Sequence, residues 1–309
     1  MPDIALRLGR DILVLDGAMG TMLQKHNLPA EQSFVQLNVT APDLVVEIHR
    51  LYNLAGADCA TANSFGGSRL KLEAYGLGDQ VEDLNRAAVR VARASGATHI
   101  LGELGPTGHV LEPLGSAHFD ELFDVFAEQA AALALEHPDA IQIATMTDIA
   151  EARCAVLAVR SVTGLPVFVT CTFGLNGRMD LSGTGPEEAA VILEAAGASA
   201  AGMNCGLGPE QMLPLVERMA RATALPIIVR PNAGLPKLVD GKTVFPGTAL
   251  EMGEYAARFV DAGATLVGSC CGSTPSFTGS IADFISDREP APRIAPPAGV
   301  VVAGPRGVA

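Results

Sequence analysis

Eight short apolar runs, each followed by a longer segment with helical spacing, predict an α/β fold: a closed (β/α)8 barrel of parallel strands. The runs cover residues 12–18, 59–65, 99–105, 140–146, 167–173, 199–205, 227–233 and 265–271, at intervals of about 30 to 45 residues. Within each run hydrophobicity is nearly continuous, as in strands with both faces covered, rather than alternating as in a half-exposed sheet. The doubly wound open sheet is the competing arrangement. Its phosphate-binding GxGxxG turn would follow the first strand, and Asp16-Gly-Ala-Met-Gly-Thr21 lacks that spacing.

Taken in order, the first run, Ile12-Leu-Val-Leu-Asp-Gly-Ala18, leads to a helical pattern over 43–55. The second, Cys59-Ala-Thr-Ala-Asn-Ser-Phe65, precedes a helix over 80–94, and the third, His99-Ile-Leu-Gly-Glu-Leu-Gly105, one over 119–135. The fourth and fifth runs are followed by helical segments at 148–162 and 186–196. The sixth, Ser199-Ala-Ala-Gly-Met-Asn-Cys205, precedes 209–222, and the seventh, Ile227-Ile-Val-Arg-Pro-Asn-Ala233, precedes 249–262. The eighth, Thr265-Leu-Val-Gly-Ser-Cys-Cys271, closes the series. Residues 1–288 are therefore expected to form one domain. Residues 289–309 are rich in Pro, Ala and Gly without an aromatic anchor, and read as an extended tail.

The 309 residues are 49% apolar and 18% charged, which excludes a disordered chain. Lys plus Arg total 21 against 34 acidic residues, a formal charge of -13. Phosphate backbones and anionic membrane surfaces would repel such a chain, so neither nucleic acid nor membrane is expected as a partner. No segment has the roughly 18 uninterrupted apolar residues of a spanning helix. The N-terminus has no basic region followed by an apolar one, so a secretory signal is not expected. Six cysteines are too few for a disulfide scaffold, and a reducing cytoplasm is the expected compartment.

In a (β/α)8 barrel, chemistry collects at the C-terminal ends of the strands. Unusual polar residues fall there in succession: Asp16 on the first strand, Asn63 and Ser64 on the second, Glu103 on the third, Asn204 and Cys205 on the sixth, Asn232 on the seventh, Cys270 and Cys271 on the eighth. Gly202-Met-Asn-Cys-Gly206 and Gly268-Ser-Cys-Cys-Gly272 bring three thiols to two strands that one other strand separates. Three soft ligands favour Zn²⁺ over hard cations, and a three-ligand site leaves a position open for a substrate. Cys59, Cys154 and Cys171 lie within predicted strands or a helix and read as small core hydrophobes. The six histidines have no metal-ligand spacing.

These motifs resemble a known family. Asp16-Gly-Ala-Met-Gly-Thr, Ala62-Asn-Ser-Phe-Gly-Gly-Ser-Arg-Leu-Lys-Leu72, Gly102-Glu-Leu-Gly-Pro-Thr-Gly108, Asn204-Cys-Gly-Leu-Gly-Pro209, Arg230-Pro-Asn-Ala-Gly234 and Gly268-Ser-Cys-Cys-Gly-Ser-Thr-Pro275 are similar to those of the homocysteine S-methyltransferase family. The nearest likeness is to the homocysteine-binding domain of its cobalamin-dependent methionine synthase branch, over nearly the whole chain. The resemblance implies a methyltransferase of EC class 2.1.1 with Zn²⁺ on Cys205, Cys270 and Cys271 and the substrate thiol in the open position. It also implies that the Asp16-Gly17-Ala18 turn holds the amino-acid end of homocysteine, with Asn232, Asn63 and Glu103 lining the same pocket.

One position departs from the family pattern. A Glu-Thr pair is common at the end of the fourth strand, its carboxylate binding the homocysteine ammonium, whereas Ala144 stands here in Ile143-Ala-Thr-Met-Thr-Asp148. Either a neighbour such as Glu103 or Asp148 supplies the charge, or the acceptor is another small thiol. No cobalamin- or folate-binding segment follows the barrel, so a methylcorrinoid on a separate partner protein is expected as donor, with betaine and S-methylmethionine as alternatives. A catalytically silent zinc-binding subunit is the remaining reading.

Overall fold

The computed structural model describes residues 3–26, 32–239 and 241–292, together with a short antiparallel pair, Ala303–Gly304 with Gly307–Val308. Most of the tail expected over 289–309 lies outside the described residues. The barrel strands are β1 (Leu13–Val14), β2 (Cys59–Thr61), β3 (His99–Leu104), β4 (Ala140–Met146), β5 (Val167–Cys171), β6 (Ala200–Asn204), β7 (Ile227–Arg230) and β8 (Ala264–Val267). They form one parallel sheet in the order β1-β8-β7-β6-β5-β4-β3-β2, and a parallel bridge between Leu15 and Cys59 brings β1 back to β2 and closes the ring.

Each strand is followed by a main helix: α1 (Pro42–Leu54), α2 (Val81–Ala94), α3 (Phe119–Ala134), α4 (Ile149–Val162), α5 (Pro186–Ala196), α6 (Pro209–Ala222), α7 (Ala249–Asp261) and α8 (Pro275–Ile285). Proline begins four of them, where its fixed φ suits the first turn and its missing N–H costs nothing. Asp148 and Thr248 cap α4 and α7 by accepting from the N–H groups of Ala150 and Glu251. No helix among the described residues is long and apolar enough to cross a membrane.

The lower half of the barrel interior is a packed plug. Leu13, Leu15, Cys59, Leu101, Ala140, Phe168, Ala200, Ile228 and Leu266 fill it, and Ile4, from the short helix Ile4–Arg7, joins them at the N-terminal end. At Gly202 a Cβ would lie 1.9 Å from the Ile228 carbonyl oxygen, so β6 and β7 approach more closely than any side chain would allow. Above this plug the strands carry polar residues instead. The apolar plug is thus the rigid floor of a polar chamber open at the C-terminal face.

Except for β4, which ends at Met146 as expected, the strands end earlier than the apolar runs suggested. The expected strand over 199–205 stops at Asn204, where Cys205 (φ 60°) turns into the left-handed region, and β4 carries a register shift between Ile143 and Met146 with Thr145 at φ 65°. Both departures lie at the mouth, where the chain leaves sheet geometry to aim side chains inward. A hairpin after β7, Lys237–Val239 paired with Lys242–Val244, was not foreseen, nor was α8 among the expected helices.

Candidate active site and metal centre

The three sulfurs of Cys205, Cys270 and Cys271 lie within 4.8 Å of one another, with Cys205 and Cys271 3.8 Å apart. Two bonds of ~2.3 Å at a tetrahedral angle span about 3.8 Å, so this edge matches a zinc–thiolate site without rearrangement. Among the described residues this is the group of metal-ligating side chains that comes together. The donor set is soft, three-membered and partly exposed, and fits Zn²⁺ with one side left open.

Backbone hydrogen bonds across strand ends hold the trio in place. Cys205 N–H donates to the Arg230 carbonyl at 3.1 Å, Cys270 N–H to Pro231 at 2.7 Å, and Ala233 N–H to Cys271 at 2.9 Å. The ends of β6, β7 and β8 are thereby laced into one unit. Asn204 ties this unit to β4: its Oδ1 accepts from Thr145 N–H at 2.9 Å, and its Nδ2 donates to Thr145 Oγ1 at 2.8 Å while lying 3.8 Å from Cys270 Sγ. Hydrogen bonds from Cys270 and Cys271 draw the Cys205 thiol well below its ordinary range, and Asn232 also donates to it. Cys270 and Cys271 are pushed up correspondingly, since three packed sulfurs resist a second charge. Cys59, Cys154 and Cys171 are buried free thiols with raised pKa values, in keeping with a packing role.

Below the sulfurs lies an ion pair that the sequence did not announce. Asp16 Oδ2 accepts from Thr61 N–H and Oδ1 from Thr61 Oγ1, both at 2.7 Å, and Arg230 donates to Asp16 Oδ1 at 2.8 Å. Arg230 also donates to Thr61 Oγ1 at 3.2 Å and to the Ser269 carbonyl at 3.4 Å. Burial pushes the Asp16 carboxyl up, and Arg230 and Thr61 oppose that shift. The Asp16 carboxylate is thus engaged by the protein itself.

The neighbouring turn is also tied down. Ala18 N–H donates to Ser273 Oγ at 3.2 Å, and Tyr52 Oη donates to the Ala18 carbonyl at 3.2 Å. A Cβ on Gly17 would stand 2.7 Å from the Tyr52 ring and 2.8 Å from Ser273 Oγ, so only glycine fits there. The turn and the Cys270–Ser273 loop therefore move as one piece. Asn63 donates to the Phe34 carbonyl at 2.7 Å and lies 3.3 Å from Asn38 Oδ1, which holds the 32–38 segment against the barrel. Asn232 is buried, and its Oδ1 has no hydrogen-bond partner.

Glu103 follows Leu101 on the inward face of β3, in register with Gln142 of β4. Burial pushes its carboxyl up to about 8, Arg230 pulls against that, and the Asp16 and Cys270 charges add to it. Ala144, two residues beyond Gln142, is buried and adds no charge. Arg230, Thr145, Thr61 and Ser273 are the residues missed by sequence reasoning. For Arg230 alone a signal existed, a cation ending an otherwise apolar run.

Comparison with known proteins gives a consistent set of relatives. Residues 13–285 match the family described as homocysteine S-methyltransferase. Methionine synthase from Mycobacterium tuberculosis is 32% identical over 300 residues, covering 91% of this chain and 25% of the relative. Its counterpart from Mycobacterium leprae is 33% identical over 304 residues, with 92% and 25% covered. The chain therefore spans about a quarter of the length of these relatives. Among solved structures, the metallated form of homocysteine methyltransferase MmuM from Escherichia coli aligns with a TM-score of 0.75 at 24% identity, covering 89% of this chain and 96% of that one, a likeness of fold.

Proposed function

The chain belongs to the homocysteine S-methyltransferase family, and from that premise we propose that it is a zinc-dependent thiol S-methyltransferase converting L-homocysteine to methionine. The observation that carries this reading is the three-sulfur cluster at the ends of β6 and β8, whose spacing matches a tetrahedral edge. A zinc ion there would hold an incoming thiol as thiolate at neutral pH, where a free thiol of pKa near 8.5 is mostly protonated.

The chain's own groups supply the rest. The Asn204–Thr145 clasp and the laced strand ends fix the three sulfurs, so little reorganisation accompanies substrate entry. The apolar plug below keeps the thiol at the mouth, and the Asp16-Gly17-Ala18 turn, with Asn232 and Asn63, forms the surrounding wall. In the transfer the substrate sulfur forms a bond to the methyl carbon as the carbon–donor bond breaks, and the donor keeps that electron pair.

The donor we favour is a methylcorrinoid on a separate protein or segment, supported by the kinship with methionine synthases. S-methylmethionine is the alternative. Betaine is less well supported, because the three tyrosines build no aromatic cage: Tyr52 is buried against Ala18, Tyr255 lies on α7 beside Phe259, and Tyr75 is exposed after the short helix Arg69–Glu73. A cytoplasmic location accords with six unpaired cysteines. Ala144 favours a second reading, in which the acceptor is a different small thiol.

Calorimetric titration of L-homocysteine into zinc-loaded protein, in two buffers of different ionisation enthalpy, tests the proposal. Binding with at least one proton released per site is the expected result. No binding at full zinc occupancy would refute homocysteine as the acceptor.

A further inference from the structure

The carboxylates carried by the strand ends and first helical turns at the barrel mouth are mostly committed to protein partners. Asp16 is held by Thr61 and Arg230, and Asp148 accepts from Ala150 N–H as the cap of α4. Glu151 accepts from Thr107 N–H at 2.8 Å and Thr107 Oγ1 at 2.6 Å, and Glu188 accepts from Gly185 N–H. Glu103, which lies on a strand inside the barrel, differs from these four. Among the described residues its carboxylate makes no hydrogen bond and no ion pair, although its backbone is pinned on both sides. Glu103 N–H donates to Ser64 Oγ at 3.0 Å, and the Glu103 carbonyl accepts from Ser64 Oγ at 2.8 Å and Gln129 Nε2 at 3.3 Å.

A pinned backbone fixes where the side chain points, and the strand's alternation turns it into the chamber. There it feels Arg230, Asp16 and Cys270, all of which face the chamber, yet it keeps some access to solvent. A carboxylate enclosed by protein but still wetted lines a cavity rather than belonging to the core. Leaving such a group without a partner is costly unless a ligand completes it. The Asn232 oxygen, buried and unpaired beside the sulfur cluster, is a second polar group awaiting a partner. Ala144, two residues beyond the Gln142 that pairs with Glu103, is buried and uncharged and supplies no carboxylate there.

We propose that Glu103 is the specificity-determining residue of the site, receiving the ammonium group of an amino-acid thiol whose sulfur lies at the cysteine cluster. The inference rests on the thiol-methyltransferase reading and deepens it. It selects between the two neighbours that could replace a charge at position 144, since Asp148 is already occupied as a helix cap. Arg230 offsets the Asp16 charge, so Glu103 is the carboxylate that remains to balance a cation.

Wild type and Glu103→Gln, both zinc-loaded, would be titrated with L-homocysteine and with 4-mercaptobutyrate, the same thiol acid without the amine. Wild type is expected to prefer homocysteine by about ten- to a hundredfold, the range for one hydrogen bond to a charged group. In Glu103→Gln that preference is expected to fall to within about threefold, with affinity for mercaptobutyrate unchanged. Glu103→Asp, one methylene shorter, is expected to keep the sign of the preference and covers the case in which the glutamine variant fails to fold. A variant that retains the wild-type preference, or weakens both thiols equally, would overturn the assignment while leaving the thiol reading intact. Wild-type protein that binds neither thiol at full zinc occupancy would overturn both.

Discussion

Cys205→Ala is expected to lose stoichiometric zinc and methyl transfer together. Cys205 is the one thiol of the cluster at the end of β6, and the two that remain sit on consecutive residues after β8. Two neighbouring thiolates cannot surround an ion, so the loss should exceed the roughly 10–100-fold typical of changes outside the ligand shell. Metal content after dialysis against a weak chelator is the readout, with turnover measured on the same samples. Cys171→Ala is the control, because Cys171 is fully buried in β5 and absent from the sulfur cluster. It should cost some stability and leave zinc untouched. A Cys205→Ala protein that keeps one zinc per chain and full activity would refute the site.

Arg230→Met is expected to destabilise the fold by about 3–5 kcal/mol, the usual cost of removing one partner from a buried ion pair. The side chains of Arg230 and Asp16 are 8% and 4% exposed, so water cannot replace the lost guanidinium. The effect has a sign in pH. The Asp16 carboxyl is already raised above its unfolded value by burial, and loss of Arg230 raises it further. A carboxyl raised in the folded state binds its proton more tightly there than in the unfolded chain. Stability is therefore retained below the ordinary carboxylate range and lost as pH rises through the raised value. The Arg230→Met deficit, read by urea unfolding, should be small near pH 4 and large near pH 8. The double variant Arg230→Met/Asp16→Asn should recover much of it. A deficit independent of pH would show that the pair is not coupled in this way.

The barrel was legible because strands buried on both faces write themselves as unbroken apolar runs. The interiors of β3, β4, β5 and β6 coincide closely with those runs. The C-terminal ends of β3, β5 and β6 were overestimated, most plainly at Cys205, which continues the run in composition while its backbone turns into left-handed geometry. Lys237–Val239 and Lys242–Val244 are short strands whose Leu238, Val239 and Val244 are exposed, so burial imprints no pattern on the sequence there. The sulfur cluster could be inferred because cysteine is scarce and flanking glycines mark close approach. Its clasp could not, because the Asn204–Thr145 pairing joins residues 59 positions apart through a bulge in β4. Asp16 was found by position at a strand end, but its engagement with Arg230 joins residues 214 positions apart. Asn63 was likewise found by position, and the turn at Ala18 by family resemblance; the Asn63 amide and the Ala18 N–H both prove to be tied to protein partners.

Zinc-edge X-ray absorption on the zinc-loaded protein, before and after adding L-homocysteine, tests the central claim most directly. Three sulfur neighbours at about 2.3 Å should become four, with loss of the lighter atom that completes the free site. A spectrum that keeps three sulfurs at saturating homocysteine, or shows fewer than three without it, would contradict thiol activation at Cys205, Cys270 and Cys271.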